Sequence, residues 1–262
     1  MKMRLGQLEI QFFSWIQHKK KSVINVGEVT KSFDISPDQE KNLLSRLSRA
    51  GLIIRLIKGV YIAPSIIPPG GKWGPNHLWV LAMLMKCIGA KYQVSGLEVF
   101  LRHRFSDQVP NETFVYNTKL SGKRIVGGHV FYFAKVQKER IRCYDLLDVD
   151  GEKVPFSSKG RAVFDAIYDW NAFNSLPKAF SWIAPLLDEE ATIEELFQCA
   201  KRLGNGITVR RIGYILESLE YPTKKVEILK KMLKDTKASY PLIPNLPKRG
   251  TFNKRWSLII NG

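Results

Sequence analysis

The stretch that decides the N-terminal fold is Ser36-Pro-Asp-Gln-Glu-Lys-Asn-Leu-Leu-Ser-Arg-Leu-Ser-Arg-Ala-Gly-Leu-Ile-Ile-Arg-Leu-Ile-Lys-Gly-Val-Tyr-Ile62. Its first four residues carry a helix start. Ser36 is a capping side chain, Pro37 suits the first helical position, and Gln39 is placed to reach back to the cap's N–H. Leu43, Leu44, Leu47 and Ala50 then fall on one face, and Gly51 is the residue type that ends a helix cheaply in a left-handed conformation. At 100° per residue the opposite face carries Asp38, Lys41, Asn42, Ser45 and Arg49, with Arg46 on its flank. After Gly51 two β-rich runs meet at Lys58-Gly59, a hairpin turn signal.

Working outward, Leu5, Leu8, Phe12, Trp15 and Ile16 recur at helical spacing and predict an amphipathic helix ahead of His18-Lys19-Lys20-Lys21. Gly27 to Phe33 reads as a short second helix with Val29 and Phe33 inward. Three helices followed by a hairpin is the order of a winged helix-turn-helix, predicted over residues 1–64. In that arrangement Lys41, Asn42, Ser45, Arg46 and Arg49 face the major groove, and Arg55 and Lys58 lie near phosphates. The same shape also serves protein contacts, so a helical knob with a polar face stays open.

Residues 65–76, rich in Pro and Gly, are read as a linker. Residues 77–262 are expected to form a larger α+β domain. Asn76 caps an apolar helix from His77 to about Ile88, and Tyr92 to about Arg104 reads as a second helix. Strand-like runs follow at Thr113–Tyr116, Lys123–Val126, His129–Val136 and near Ile141–Leu147, with a turn at Asp150-Gly151; they predict a small antiparallel sheet. Beyond Ser157 the pattern is helical. Gly160 to Trp170 buries Val163, Phe164 and Ile167. Thr192-Ile-Glu-Glu195 reads as a capping box before Leu196–Leu203, and Thr208 as the cap of Val209–Leu219. A basic helix runs through Val226, Leu229 and Leu233, then an extended Tyr240–Pro247 and a last strand near Arg255–Ile260.

The chain carries 41 Lys+Arg against 24 Asp+Glu, a net charge of +17, which makes a polyanion the first partner to consider. No apolar run has the length of a membrane span, and the N-terminus does not read as an export signal, so a cytoplasmic protein is expected. Cys87, Cys143 and Cys199 are far apart and lack metal-ligand spacing; they read as inert thiols of a reducing compartment. His18, His77, His103 and His129 sit in no catalytic or metal motif. Asp145, Asp148 and Asp150 before Gly151 lack the spacing of a calcium loop, and Asp188-Glu-Glu190 with Glu194-Glu195 read as first-turn helix acids. No phosphate-cradling glycine loop or nucleophile elbow is present, so no enzymatic activity, cofactor or metal is expected. Arg102, Arg104, Arg210, Arg211, Lys224 and Lys225 are candidate phosphate contacts of the second domain, beside the alternative of a solvated helix face.

Several blocks, taken in order, resemble the AbiEi-type proteins. They are Leu47–Tyr61 with its Gly-Leu, Arg and Gly-Val-Tyr elements, Tyr92-Gln-Val-Ser-Gly-Leu97, the Gly127-Gly128 stretch, Gly160-Arg-Ala-Val-Phe-Asp-Ala-Ile-Tyr-Asp169, and Arg211-Ile-Gly-Tyr-Ile-Leu-Glu217. Where the family block reads closer to Glu-Arg-Thr-Leu-Leu-Asp, this chain matches at Arg161 and Asp165 and lacks the preceding acid. The resemblance implies an antitoxin of a type IV toxin–antitoxin system linked to abortive phage infection. It implies repression of its own operon through the winged helix and a C-terminal domain that counters a nucleotidyltransferase toxin without a stable complex. The reading from residues alone is a double-stranded-DNA-binding regulator. The alternatives are an antitoxin or adaptor that uses the winged helix as a protein interface and, more distantly, a nucleic-acid-processing enzyme.

Overall fold

The computed structural model describes residues 5–68 and 72–262; the Pro69-Gly70-Gly71 part of the expected linker lies outside them. The N-terminal elements are α1 (Gln7–Lys19), β1 (Val23–Asn25), α2 (Glu28–Phe33), α3 (Pro37–Arg49), β2 (Ile54–Ile57) and β3 (Val60–Ile62). They are followed by α4 (His77–Cys87), β4 (Tyr92–Ser95), α5 (Leu97–Arg102), β5 (Thr113–Asn117), β6 (Gly122–Val126), β7 (His129–Lys135), β8 (Tyr144–Val149) and β9 (Glu152–Ser157). The helical part comprises α6 (Lys159–Tyr168), α7 (Trp170–Phe173), α8 (Lys178–Ser181), α9 (Glu190–Leu203), α10 (Gly206–Ser218) and α11 (Thr223–Lys231). It leads to β10 (Tyr240–Pro241), β11 (Thr251–Asn253) and β12 (Leu258–Ile260). The fold is α+β.

Two compact units are interleaved along the chain. One groups Met1–Ala90 with Lys123–Phe131 and Asp148–Val154, and the other groups Lys91–Gly122 with Tyr132–Leu147 and Pro155–Gly262. In the first, Phe12, Phe13 and Ile16 of α1, Val29 of α2 and Leu43, Leu44 and Leu47 of α3 form one core with Ile24, Leu52 and Ile53. Each such fully buried side chain contributes about 2 kcal/mol of transfer free energy. β1, β3 and β2 form a three-stranded antiparallel sheet in that order. β1 is a strand that the hydrophobic pattern does not announce: three residues are too few to show a period, and its place comes from pairing Val23–Asn25 with Val60–Ile62.

The main sheet has six strands in the order β6-β7-β5-β4-β9-β8. The expected small antiparallel sheet is corrected in one respect: β4 pairs antiparallel with β5 but parallel with β9. The helix expected from Tyr92 to Arg104 is corrected as well. Its first four residues are β4, and only Leu97–Arg102 are helical. Gly96, at φ 74° and ψ −150°, turns the chain between them, and a Cβ there would lie 2.7 Å from the Phe173 ring. Helix caps shift similarly. α9 begins at Glu190, so Thr192 is not its cap but donates its hydroxyl to Glu189. α10 is capped by Asn205, whose Oδ1 accepts the Thr208 N–H at 2.8 Å.

The C-terminal strands β10, β12 and β11 form a small separate sheet. It carries Trp256, which is fully buried and lies against Gly213 of α10; a Cβ at 213 would sit 2.3 Å from the indole. The indole N–H donates to Glu217 at 2.6 Å. α10 therefore has a side chain missing where the C-terminal hairpin inserts one.

Candidate nucleic-acid interface

α3 starts as its sequence requires. The Gln39 N–H donates to Ser36 Oγ at 3.2 Å, and the Ser36 N–H donates to Gln39 Oε1 at 2.8 Å. With Leu43, Leu44 and Leu47 turned into the core, Lys41, Asn42, Arg46 and Arg49 are exposed and Ser45 is half-buried. Arg46 Nε donates to Glu9 Oε1 of α1 at 3.1 Å and stays largely solvent-facing. The residue that orients this helix is one the pattern hides. Glu40 is 1% exposed and lies inside. Its carboxylate accepts the Gly27 N–H at 2.8 and 2.9 Å, the Val29 N–H at 3.0 Å and the Thr30 hydroxyl at 2.8 Å. α3 is thereby clamped to the start of α2 by charge-assisted hydrogen bonds.

Arg55 and Lys58 are exposed on the β2–β3 hairpin, which turns at Gly59 with φ 82°. Arg55 Nε donates to Ile57 O at 3.3 Å. The Gly59 carbonyl accepts the Val26 N–H at 2.9 Å, fixing the hairpin tip to the segment after β1. Lys19, Lys20 and Lys31 add exposed cations to this unit. They are legible as charge, but no pattern singles them out from any other solvated lysine.

The six candidate cations of the second domain separate. Arg102, Arg104 and Lys224 are exposed. Lys225 is paired with Glu194. Arg210 and Arg211 are 5% and 4% exposed, so the expectation that they contact phosphates is corrected. Arg210 donates to the carbonyls of Trp256 at 3.0 Å and Lys234 at 2.9 Å, and Arg211 to that of Pro241 at 3.2 Å. Burial without a facing acid pulls Arg211 down to about 10. Paired arginines at a helix start look like a surface patch in sequence; the C-terminal segment that covers them comes much later in the chain.

The second unit also holds a buried polar network. Arg161 and Asp165, the two matches of the family block, are both fully buried and joined Nε to Oδ1 at 2.8 Å. Asp165 Oδ2 accepts from Ser95 Oγ at 2.8 Å and Ser157 Oγ at 3.1 Å, so one carboxylate ties α6 to β4 and β9. Ser157 Oγ in turn accepts from Gln93 Nε2 at 2.8 Å. Arg161 Nη1 donates to the carbonyls of Arg140 and Arg142, while its Nη2 has no partner. Next to it the Arg140 guanidinium lies 3.9 Å from the Tyr168 ring centre and donates to Asp169 Oδ2 at 2.9 Å. Asp169 also accepts the Tyr116 hydroxyl. Burial first, then the charges of Asp165 and Asp169, push the Tyr116 phenol well up. Burial likewise raises the Asp169 carboxyl. Each cation here is matched by acids or carbonyls, which is the arrangement of a structural clamp.

The histidines stay apart from this network except His103, whose Nε2 lies 3.0 Å from the Ser157 carbonyl. His77 and His129 come together, ring centres 5.8 Å apart, in the first unit. Asp148 accepts the Gly151 N–H and pairs with Lys153 across the β8–β9 turn. Among the described residues there is no cluster of three or more His, Cys, Asp or Glu side chains arranged to hold a metal ion, and no helix is long and apolar enough to cross a membrane.

No protein-family model matches the chain, and no curated protein matches it. A solved structure does. The RV2827C protein from Mycobacterium tuberculosis superposes with a TM-score of 0.65 at 15% identity, covering 98% of this chain and 92% of that one. At that identity the likeness is one of fold.

Proposed function

We propose that residues 5–64 are a winged helix-turn-helix that binds double-stranded DNA in the protein's own promoter. α3 is its recognition helix and the β2–β3 hairpin its wing. The observation that carries this reading is the exposed row of Lys41, Asn42, Arg46 and Arg49 on a helix whose other face is core, with Arg55 and Lys58 exposed on the hairpin of the same unit. Arg and Asn on a groove-sized helix suit base edges; Arg55 and Lys58 on a hairpin suit phosphates. The net charge of +17 adds the non-specific attraction that such a reader uses to reach its site.

Together with the resemblance to AbiEi-type proteins, this makes the protein a non-enzymatic, cytoplasmic autorepressor and antitoxin. It counters a nucleotidyltransferase toxin without forming a stable complex. A gel-shift titration on the upstream region, beside a scrambled duplex at two salt concentrations, tests the DNA part. Selective binding that weakens with salt supports it. Equal, weak binding to both duplexes refutes it and turns attention to protein partners of the same face.

A further inference from the structure

A cavity of about 700 Å³ opens at the start of α10 in the second unit, a size that suits a small-molecule site. Asn205, the cap of α10, lines it together with Gly206 and Ile207, the first two helical residues, and Arg210 one turn on. The Asn205 Oδ1 is taken by the Thr208 N–H, and the N–H groups of Gly206 and Ile207 have no partner among the described residues. They form the positive end of a 13-residue helix whose first turn holds no acid. Gly206 leaves this backbone bare: a Cβ there would meet nothing within 4 Å.

Arg210 adds a charge that the fold does not answer. It is 5% exposed and borders the cavity. Its Nη1 and Nη2 each donate to a carbonyl, those of Trp256 and Lys234, and no carboxylate pairs with it among the described residues. A guanidinium carries five N–H groups, so three are left over, the Nε among them. Arg211, next in the chain, is buried with its Nε unpartnered, and it too has a carbonyl and no acid for a partner among the described residues. Buried charges are normally matched by a counter-charge, and these two guanidiniums at a helix N-terminus have none. Lys234 brings a further cation to the cavity wall; Asp235, the acid there, is exposed. The rest of the lining is apolar. Ile207 and Met232 are exposed large hydrophobics, and the Tyr240 ring centre lies 5.7 Å from the Arg210 guanidinium.

We propose that this cavity binds a phosphomonoester of nucleotide size, with its phosphate on the Gly206 and Ile207 N–H groups and the Arg210 guanidinium, and its organic part against Met232 and Tyr240. A phosphate brings the counter-charge that the two arginines lack and enough acceptor oxygens for the free donors. Buried as it is, Arg210 is no contact for the backbone of a duplex, but a small molecule that enters the cavity reaches it.

The inference does not rest on the DNA-binding reading, which concerns the other unit. Its test titrates adenosine 5′-monophosphate, adenosine and inorganic phosphate into the full-length protein by calorimetry at fixed ionic strength. The monophosphate should bind at least about tenfold more tightly than adenosine, and inorganic phosphate should compete with it. Gly206→Asp sets a carboxylate at the helix N-terminus, where it is electrostatically favoured and has room. That variant should bind the monophosphate at least about tenfold less tightly, with no fall in melting temperature. Asp235→Asn, which removes the opposing charge, should bind it more tightly. A 5′-phosphorylated tetranucleotide that outbinds the monophosphate, and loses that advantage in Gly206→Asp, would make a nucleic-acid end the source of the phosphate; the reverse order would make it a free nucleotide. Adenosine binding as tightly as its monophosphate, no binding of the monophosphate at millimolar concentration, or binding unchanged in folded Gly206→Asp would each overturn the proposal.

Discussion

The carboxylate of Glu40, in the third helix, accepts the backbone N–H of Gly27 with both of its oxygens. A buried acid held only by local N–H and hydroxyl donors has no apolar substitute, because its removal strands the donors in the core. Glu40→Ala should cost about 3 kcal/mol of unfolding free energy, read by urea denaturation. Glu40→Gln, which keeps the shape and one acceptor oxygen, should cost less. A Glu40→Ala protein as stable as the parent would show that the clamp does not hold α3 to α2.

Lys41 and Arg49 are exposed and lie outside the core, so replacing both with alanine tests DNA recognition without disturbing the fold. Operator affinity should fall by at least about tenfold while the melting temperature stays put. Unchanged affinity would remove α3 from the reading.

Arg55→Ala and Lys58→Ala on the hairpin should act differently. They should weaken selective and scrambled duplexes alike. Each should also lower the slope of log affinity against log salt by about one, the share of a single phosphate that is no longer neutralised. A selective loss with the slope intact would mean that the hairpin reads bases.

Arg210 and Arg211 separate folding from binding. Arg210→Ala leaves the Trp256 and Lys234 carbonyls without their donor and should cost about 2 kcal/mol. Arg211→Met removes a buried cation whose Nε has no partner and should change stability by under about 1 kcal/mol. Calorimetry reads both. In neither variant should the folded protein bind DNA less well.

Asp165 is the hinge of the buried network, and Asp165→Ala would leave Arg161 charged and enclosed. Loss of one partner of a fully buried pair costs about 3–5 kcal/mol. The double change of Arg161 to Met and Asp165 to Leu should recover part of that loss. Additive losses in the double-mutant cycle would mean that the two residues contribute separately.

Much of the N-terminal unit is legible in the sequence because its signals are local. Ser36, Pro37 and Gln39 announce a cap within four residues, and Lys58-Gly59 announces a turn within two. Glu40 is not legible: one acid beside Lys41 on a polar helix reads as solvated, and its donors at Gly27 and Val29 are defined only once α2 is folded against it. The same limit hides the second unit's clamp. The spacing of Arg161 and Asp165 is visible as a helical pair, but Ser95, Ser157 and Gln93 reach it through strand pairing. β4 itself reads as the start of a helix because its apolar–polar alternation, Tyr92-Gln-Val-Ser95, lasts only four residues and runs through Gly96 straight into the helix Leu97–Arg102. Arg210 and Arg211 show the reverse error, in which a local surface pattern is overridden by a distant covering segment.

The indole of Trp256 filling the gap at Gly213 has a consequence for biosynthesis. A nascent chain that has emerged from the ribosome only as far as Ser218 already contains all of α10, yet the notch at Gly213 still faces water. The notch fills only when residues up to the final hairpin strand have also cleared the exit tunnel. Until then Gly213 has no indole over it, so the packing of α10 is completed only by the last part of the chain to be made.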